Sequence, residues 1–266
     1  MAILEQEMKR LAQQAGGSHK TVHDRIKLAQ RFCERQVLAK NVQIRRVEQL
    51  KARHIEGYVR ERLAQSERLN NRSLGLSGAS RNGTKLAITP DHYRYALENA
   101  RVKDPGMAAA LELSRLMGLR SQEAVQSAQS LRTWRQALER GDTRLTVVFG
   151  TKGGRPRETI ILDAGAVRKA LGNALSVAED RHGRLIDKPD LKSAMKYWHS
   201  QASRLGLTGA YSPHSLRYAW AQDAIRHYLA QGFCEKEALA MTAMDLGHGD
   251  GRGRYVAQVY GRKDTD

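Results

Sequence analysis

Cysteine and long apolar runs are scarce in this sequence of 266 residues. Only two cysteines are present, Cys33 and Cys234, each within an amphipathic helical pattern. So small a number excludes a disulfide framework or a cysteine-based zinc site and favours the reducing cytoplasm. No apolar run approaches the roughly 20 residues of a membrane-spanning helix, and the first residues, MAILEQEMKR, lack the apolar core of a signal peptide. We therefore expect a cytoplasmic protein with no membrane partner.

Acidic residues are outnumbered, because 28 Asp and Glu stand against 45 Lys and Arg and leave a net charge of +17. A balance this one-sided indicates a nucleic acid or another polyanionic surface as the partner. The excess is densest in the first 80 residues, where 16 basic residues face 8 acidic ones. No cluster of acidic residues offers ligands for Mg²⁺, so metal-dependent nucleic-acid chemistry is disfavoured, and we expect no cofactor.

The spacing of apolar residues predicts a mainly α protein with one small β-hairpin, an α+β fold in two domains. Residues 1–66 carry three amphipathic stripes and form a first helical domain. Residues 67–86 are rich in Ser, Asn and Gly and form a linker. Residues 87–266 form the second domain, where two β-branched runs around a glycine-rich turn at 144–162 predict the hairpin.

Basic residues in both domains are candidates for contacts with DNA. Those of the first domain fall between the apolar positions of its helices, and one more lies near the turn of the hairpin. A charged helix face is usually only solvated, but the common sign of these residues supports a surface that faces phosphate. The candidates are Lys20, Arg25, Lys27, Arg31 and Arg155.

The stretch YSPHSLRYAWAQDA, residues 211–224, is the one around which the other candidate residues are organised. Ser212 is a good N-cap and Pro213 suits the first helical position, so a helix is predicted to begin there. His214 and Arg217 then lie three residues apart on one face. One interpretation is a capped helix with a surface ion pair. The other is a phosphate site with a proton carrier, at a helix start that favours anions.

Two further cations lie at junctions between predicted elements. Arg120 points out of a gap between two core helices or caps the carbonyls of the preceding helix, and Ser121 is the predicted N-cap of the next one. Lys152 lies where the first strand of the hairpin enters the turn, and Arg155 and Arg157 add charge there. A lysine at a hairpin tip is normally just solvated; here its other use would be to reach into a site.

Near its end the chain adds a histidine, His248, directly after a helix, and a last short helix that presents Tyr255 and Tyr260. A tyrosine phenol can attack phosphorus once a neighbour accepts its proton. His214 titrates near neutrality and fits that role.

The remaining groups suit the other demands of phosphodiester cleavage. Arg120 and Arg217 can clamp both non-bridging oxygens of one phosphate. Lys152 could protonate a departing 5′-oxygen, and His248 could donate a hydrogen bond to the phosphate.

This set resembles the tyrosine recombinases, the phage-integrase family. GLRSQEA is similar to the family's first arginine box, TKGG with its flanking strands to the hairpin lysine, and HSLRYAWA to the H-x-x-R box. LGHGDG is similar to the second histidine box and VAQVYGR to the nucleophile box. The five occur in the family's order along residues 105–262, and the basic helical segment before them resembles the SAM-like core-binding domain that precedes the family's catalytic domain.

The resemblance implies a site-specific DNA recombinase or integrase of a phage or other mobile genetic element. In such an enzyme Tyr260 would attack the scissile phosphate and leave a 3′-phosphotyrosyl link and a free 5′-hydroxyl, without metal or ATP. The resemblance further implies double-stranded DNA with inverted-repeat sites, a homotetramer on that DNA, an accessory DNA-bending protein and an association with the bacterial nucleoid. The catalytic residues that it implies are Tyr260, Arg120, Lys152, His214, Arg217 and His248.

Two departures and three rival functions stay open. The 12 residues from His248 to Tyr260 exceed the family's usual spacing, which leaves Tyr255 as a rival nucleophile, and the first domain offers three clear helices where four are usual. A type IB topoisomerase-like enzyme would share the chemistry but relax any supercoiled DNA. A non-catalytic DNA-binding regulator on the same fold would have no need of Tyr260. A metal-dependent nuclease would stop in the presence of a chelator.

Overall fold

The chain divides into two compact units, Met1–Ser80 and Arg81–Asp266. Of the predicted linker, residues 67–84 lie outside the part of the chain that the structure describes, so the predicted boundaries at 66 and 87 stay a prediction. The computed structural model describes residues 3–17, 19–40, 42–64, 85–249 and 251–261.

The described part of the first unit is built from three α-helices, as the apolar stripes predict, with two shorter helical turns. Its elements are α1 Ile3–Gln14, α2 His19–Phe32, a π-helical turn Cys33–Leu38, a 3₁₀ turn Val47–Gln49 and α3 Ala52–Ala64. Phe32 and Tyr58 meet edge to face with 5.6 Å between ring centroids, and Leu4 and Cys33 are buried beside them. The unit therefore has a small apolar core of its own.

The second unit is also mainly helical, with one two-stranded antiparallel sheet among its described residues. Its helices are α4 Pro90–Lys103, α5 Pro105–Met117, α6 Ser121–Val125, α7 Leu131–Glu139, α8 Ala164–Glu179, α9 Leu191–Arg204, α10 His214–Ala230, α11 Glu235–Asp245 and α12 Gly253–Tyr260. Short 3₁₀ turns cover Ser127–Ser130, Lys152–Gly154 and Gly209–Tyr211. In the described part of the chain, no helix combines the length and the apolar character that crossing a membrane requires.

Proline and side-chain caps begin several of these helices where the sequence predicts. Thr89 accepts a hydrogen bond from the N–H of His92 at the start of α4, and Asp104 accepts two at the start of α5. Asp163 caps α8 in the same way. Cys234 differs from its prediction, because it precedes α11 as the N-cap residue and does not lie on a helical face.

Helix α10 is the centre of the second unit. It contributes buried residues to two apolar clusters, with Leu216 in one and Trp220 in the other, and its first half, residues 215–221, is buried on all sides. Its start differs from the prediction: the helix begins at His214, and the side chain of Ser212 does not cap it. Ser212 ends the preceding 3₁₀ turn, so its backbone carbonyl, not its hydroxyl, accepts from the N–H of Ser215 at 2.7 Å.

The predicted hairpin is formed by β1 Arg144–Val147 and β2 Arg157–Ile160, paired antiparallel with Val147 opposite Arg157. The loop between them carries Lys152 and Arg155, both exposed. Arg157 corrects a prediction, since it lies in β2 with only 6 % of its surface exposed and does not add charge at the tip. Strand alternation turns its side chain toward the unit's interior.

Candidate active site

Arg217 lies on α10 and is completely buried, with 0 % of its surface exposed. Its guanidinium donates short hydrogen bonds to the carbonyl oxygens of Gly118 and Leu246. A carboxylate oxygen of Glu123 lies 3.9 Å away. Its Nε is buried and has no partner in this arrangement, so one N–H donor of a fixed guanidinium remains unused.

Arg120 is held beside Arg217 by a shared acceptor. Its Nη2 donates to the carbonyl oxygen of Leu246 at 3.0 Å, the same oxygen that Arg217 contacts. Arg120, and not the predicted Ser121, is the N-cap residue of α6, and the side chain of Glu123 accepts from its backbone N–H. The two arginines that the sequence analysis assigns to one phosphate therefore lie together, although 97 positions separate them in the sequence.

Glu123 is the central residue that the sequence analysis missed. Its carboxylate is buried and accepts from Arg120 at 2.7 Å and from Arg157 at 2.7 and 3.2 Å. Burial alone would raise its pKa, but Arg157, Arg217 and the backbone N–H of Arg120 lower the pKa to about 2. A glutamate three residues after an N-cap is typical of a capping box. The segment GLRSQEA could therefore have predicted that the Glu123 side chain accepts from the backbone N–H at the start of α6.

Arg157 completes this cluster from the hairpin side. Besides Glu123, it donates to the backbone carbonyls of Asp245 at 2.6 Å and Gly118 at 3.2 Å. Its place depends on Gly247, which has a φ of +67°; a Cβ there would come within 2.8 Å of the Arg157 side chain. Gly118 needs the absence of a side chain as well, because a Cβ would lie 2.5 Å from the ring of Trp220.

Tyr260 ends α12 with only 2 % of its surface exposed. Its hydroxyl lies 3.0 Å from Nε2 of His248, and its ring packs against Tyr218 with 4.5 Å between centroids. Gln222 donates to its backbone carbonyl at 3.1 Å. Helix α10 thus fixes Tyr260 through two of its residues while His248 contacts the phenol oxygen.

His248 is neutral at neutral pH. Burial, followed by the nearby charges of Arg217 and Arg120, lowers its pKa to about 3. A neutral imidazole has one nitrogen that can accept a proton, and Nε2 is the nitrogen that faces the phenol. His248 therefore has the position that the sequence analysis gave to His214.

His214 lies at the first position of α10, half-buried, with its ring centroid 6.3 Å from that of Tyr260. Burial, then Arg217 and Arg120, lowers its pKa to about 4, so it does not titrate near neutrality as its unperturbed value suggested. It lies in the cluster, but His248 makes the hydrogen bond to the phenol.

Tyr255 lies on the same helix as Tyr260 but differs in its contacts. Its ring meets that of His248 edge to face, with 4.9 Å between centroids. Its pKa is raised, first by burial and then by Tyr260. The Tyr255 ring thus packs against the side of the imidazole, whereas the hydroxyl within hydrogen-bond distance of Nε2 belongs to Tyr260.

Lys152 begins the 3₁₀ turn in the hairpin loop and is exposed. Its charge acts on His248, where it contributes to the lowered pKa. The exposed ammonium is thus within electrostatic range of the buried cluster on a loop that the two strands carry. Arg155 is exposed on the same loop.

The four predicted DNA-binding residues of the first unit all lie on α2. Lys20 is exposed and pairs with Asp24 at 2.9 Å, and Arg25 donates to the carbonyl oxygen of Gly16 at 2.7 Å. Lys27 and Arg31 are partly exposed on the same helix. In the described residues, no group of three or more His, Cys, Asp or Glu side chains is placed to hold a metal ion.

The second unit is expected to lose stability as the pH falls from about 5 to about 2. The pKa of Glu123 is about 2 in the folded protein, against 4.5 for an unperturbed glutamate. Its charge therefore stabilises the fold fully above the pKa of the unfolded chain, and this stabilisation is lost as the pH falls toward the pKa of the folded protein. The difference corresponds to about 3 kcal/mol.

Urea unfolding followed by tryptophan fluorescence measures this loss, because the three tryptophans lie at 134, 198 and 220 in the second unit. The Glu123→Gln variant should lack this part of the pH dependence. If the free energy of unfolding changed equally with pH in the variant and in the unmodified chain, Glu123 would not be the source of the loss.

The buried Arg217 and the partly exposed Arg120 lie beside a tyrosine–histidine hydrogen bond in a mainly helical unit, an arrangement that suits a phosphodiester held next to a nucleophile. A family model described as "Integrase" matches residues 75–223, more than half of the chain. A second, described as "Phage integrase, N-terminal", matches residues 1–78. The chain therefore belongs to the integrase family: it is a tyrosine-type site-specific recombinase that acts on DNA, with the family's SAM-like N-terminal domain.

The matched ranges contain four of the predicted catalytic residues, Arg120, Lys152, His214 and Arg217, whereas His248 and Tyr260 lie beyond residue 223. A solved structure described as "Crystal structure of XerA recombinase" is similar at 15 % sequence identity, with 98 % of this chain and 94 % of that chain covered and a TM-score of 0.45. Among curated proteins, none matches this chain.

Proposed function

We propose that this recombinase cuts and rejoins DNA through a covalent 3′-phosphotyrosyl link formed by Tyr260, without metal or ATP. The observation that carries the proposal is the 3.0 Å contact between the Tyr260 hydroxyl and Nε2 of His248, beside two arginines that share one carbonyl acceptor. A nucleophile, a proton acceptor and fixed positive charge are thus brought to one place.

In the cleavage step, the phenol oxygen of Tyr260 attacks phosphorus while its proton passes to Nε2 of His248. A new O–P bond forms and the bond from phosphorus to the 5′-oxygen breaks. The Lys152 ammonium gives the departing oxygen a proton, which yields a free 5′-hydroxyl. Attack by the 5′-hydroxyl of a partner strand reverses the step, so no external energy source is needed.

Arg120 and Arg217 neutralise the charge that builds on the non-bridging oxygens. Burial lowers the pKa of Arg217 to about 10, which still leaves it charged at neutral pH. Because Arg217 is fully buried and Tyr260 is 2 % exposed, the phosphate can meet both only if the groups that cover them move. His214, one turn before Arg217, is assigned to a hydrogen bond with the phosphate, the role that the sequence analysis gave to His248.

The details of the DNA partner and of the assembly are proposed by analogy with the family, and not from a contact in this chain. We propose double-stranded DNA with inverted-repeat sites, a homotetramer on that DNA, and an accessory DNA-bending protein at the nucleoid. The net charge of +17 supports binding to a polyanion.

The proposal is tested by trapping on nicked duplexes selected for cleavage from a randomised pool. The nick lets the short 5′-hydroxyl strand diffuse away, so a covalent intermediate accumulates. We expect an adduct that survives denaturation, forms in the presence of a chelator, and leaves a 5′-hydroxyl on the released strand. The selected sites should contain an inverted repeat. A released 5′-phosphate, or cleavage that a chelator abolishes, would overturn the mechanism.

DNA binding is expected to weaken steeply with salt, since contacts with phosphate release counterions. Lys27→Gln should reduce the slope of log K against log salt by about 1, because it removes one cation from α2. Lys40→Gln is the matched control in the same unit, since that ammonium already lies 2.8 Å from Glu61. Anisotropy of a labelled duplex measures both slopes; a flat response, or the same change in both variants, would contradict a DNA-facing α2.

A further inference from the structure

Asp245, the last residue of α11, holds a closed ring of polar groups outside the set proposed for the chemistry, in which Tyr228 is buried and Arg144 is partly exposed. Asp245 itself is completely buried. Its carboxylate accepts a short hydrogen bond from Arg144 and one from the Tyr228 hydroxyl at 2.6 Å. Arg144 also donates to that hydroxyl at 2.8 Å. Each of the three side chains thus contacts the other two.

The backbone of Asp245 is held as firmly as its side chain. Its carbonyl oxygen accepts from Arg157 at 2.6 Å. Arg144 belongs to β1 and Arg157 to β2, so arginines from both strands of the hairpin converge on this one residue. The next carbonyl, that of Leu246, receives Arg120 and Arg217. Asp245 therefore joins the hairpin to the turn that leads to His248.

This arrangement is hard to explain by stability alone. A buried carboxylate pays a large desolvation penalty, and well-packed apolar residues of similar volume often serve a core as well. An ion pair with directed hydrogen bonds fixes one geometry more strictly than apolar packing does. A two-stranded hairpin has little stability of its own, so the placement of its loop depends on such anchors.

We propose that Asp245 is a positioning residue that fixes the hairpin and thereby places Lys152 over the reacting phosphate. The inference rests on the proposed function, in which Lys152 protonates the departing 5′-oxygen. Loss of the carboxylate releases β1 through Arg144 and leaves the Asp245 carbonyl, with its bond to Arg157, in place. The defect should therefore fall on proton transfer to the leaving group and spare DNA binding.

The test compares two nicked duplexes of the same selected sequence, one ordinary and one with sulfur in place of the bridging 5′-oxygen. A thiolate leaves without a proton, so a group that acts through leaving-group protonation is not needed on the sulfur substrate. We would measure the rate of adduct formation for the unmodified chain, Asp245→Asn, Tyr228→Phe and Lys152→Ala. Asp142→Asn is the surface control, because its exposed carboxylate pairs with the likewise exposed Arg140 at 2.7 Å.

Asp245→Asn should slow cleavage of the ordinary duplex by about 100-fold, the scale of a misplacement of about 1 Å. On the sulfur duplex its rate should return to within about threefold of the unmodified chain, as should that of Lys152→Ala. The dissociation constant for DNA and the behaviour of Asp142→Asn should not change. Tyr228→Phe keeps the ion pair, so its rate on the ordinary duplex should fall less and should also recover on the sulfur duplex. This variant replaces Asp245→Asn in the test if Asp245→Asn does not fold.

The outcomes separate the two ideas. If sulfur rescues Lys152→Ala but leaves Asp245→Asn and Tyr228→Phe equally slow on both duplexes, the inference about Asp245 is wrong and the proposed mechanism stands. If sulfur fails to rescue Lys152→Ala, the proposed role of Lys152 fails, and the inference that depends on it fails too.

Discussion

Replacement of Tyr260 by phenylalanine is expected to abolish the covalent protein–DNA adduct. The substitution removes one oxygen and keeps the ring that packs against Tyr218 at 4.5 Å between centroids, so the fold of α12 should survive. Without the phenol there is no atom to form the bond to phosphorus, and the rate of adduct formation should fall by at least about 10⁴-fold. Trapping on the nicked duplex followed by denaturing electrophoresis measures the loss.

Tyr255→Phe is the matched control for this experiment. The two tyrosines lie on the same short helix and both rings contact His248, but the hydroxyl near Nε2 belongs to Tyr260. The Tyr255 variant keeps its ring beside the imidazole, so it should form the adduct within about threefold of the normal rate. An adduct that persists in Tyr260→Phe and disappears in Tyr255→Phe would assign the nucleophile to Tyr255.

Glu123→Gln is expected to damage both the stability of the second unit and its cleavage activity. The substitution keeps the size of the side chain but removes the charge that faces Arg120, Arg157 and Arg217. Removing one partner of a buried ion cluster leaves uncompensated charge in the interior and costs about 3–5 kcal/mol. The freed arginines would also lose their fixed geometry, which should slow adduct formation by about 100-fold.

Glu139→Gln is the control for the loss of a glutamate charge. Glu139 pairs with Arg135 at 2.9 Å on the surface of α7, and both side chains are more than half exposed. An exposed pair of this kind contributes less than about 1 kcal/mol, so neither urea unfolding nor the trapping rate should change measurably. If Glu123→Gln behaved like this control, the carboxylate would not be the group that organises the arginines.

Local signals in the sequence predicted much of the second unit. A cap residue followed by proline predicted the starts of α4 and α5, and β-branched runs around a glycine-rich turn predicted the hairpin. These signals are local, since a cap depends on neighbours within four residues and a hairpin on one short turn between its strands, which is why they can be read from the chain itself. The start of α10 was predicted one residue too early, because the 3₁₀ turn before it uses the backbone of Ser212 for its own hydrogen bonding.

The roles of buried polar residues could not be predicted in the same way. Arg157 was expected at the exposed tip because it is charged and near glycines, yet its partners lie 34 to 88 positions away. Glu123 was visible only as part of a local cap, and Asp245 carried no signal. The ordinary pKa of histidine favours His214 as the proton acceptor, whereas burial lowers the pKa of both histidines and the contact with the phenol belongs to His248.

The amino-acid sequence by itself determined the family, the helical character with a hairpin in the second unit, and the order of the motifs along the chain, because each depends on residue types at short spacing. The tertiary structure alone decided which buried carboxylate holds the arginines and which histidine touches the phenol. Those choices depend on distances between side chains that are far apart in the chain, and on the burial that shifts their proton affinities.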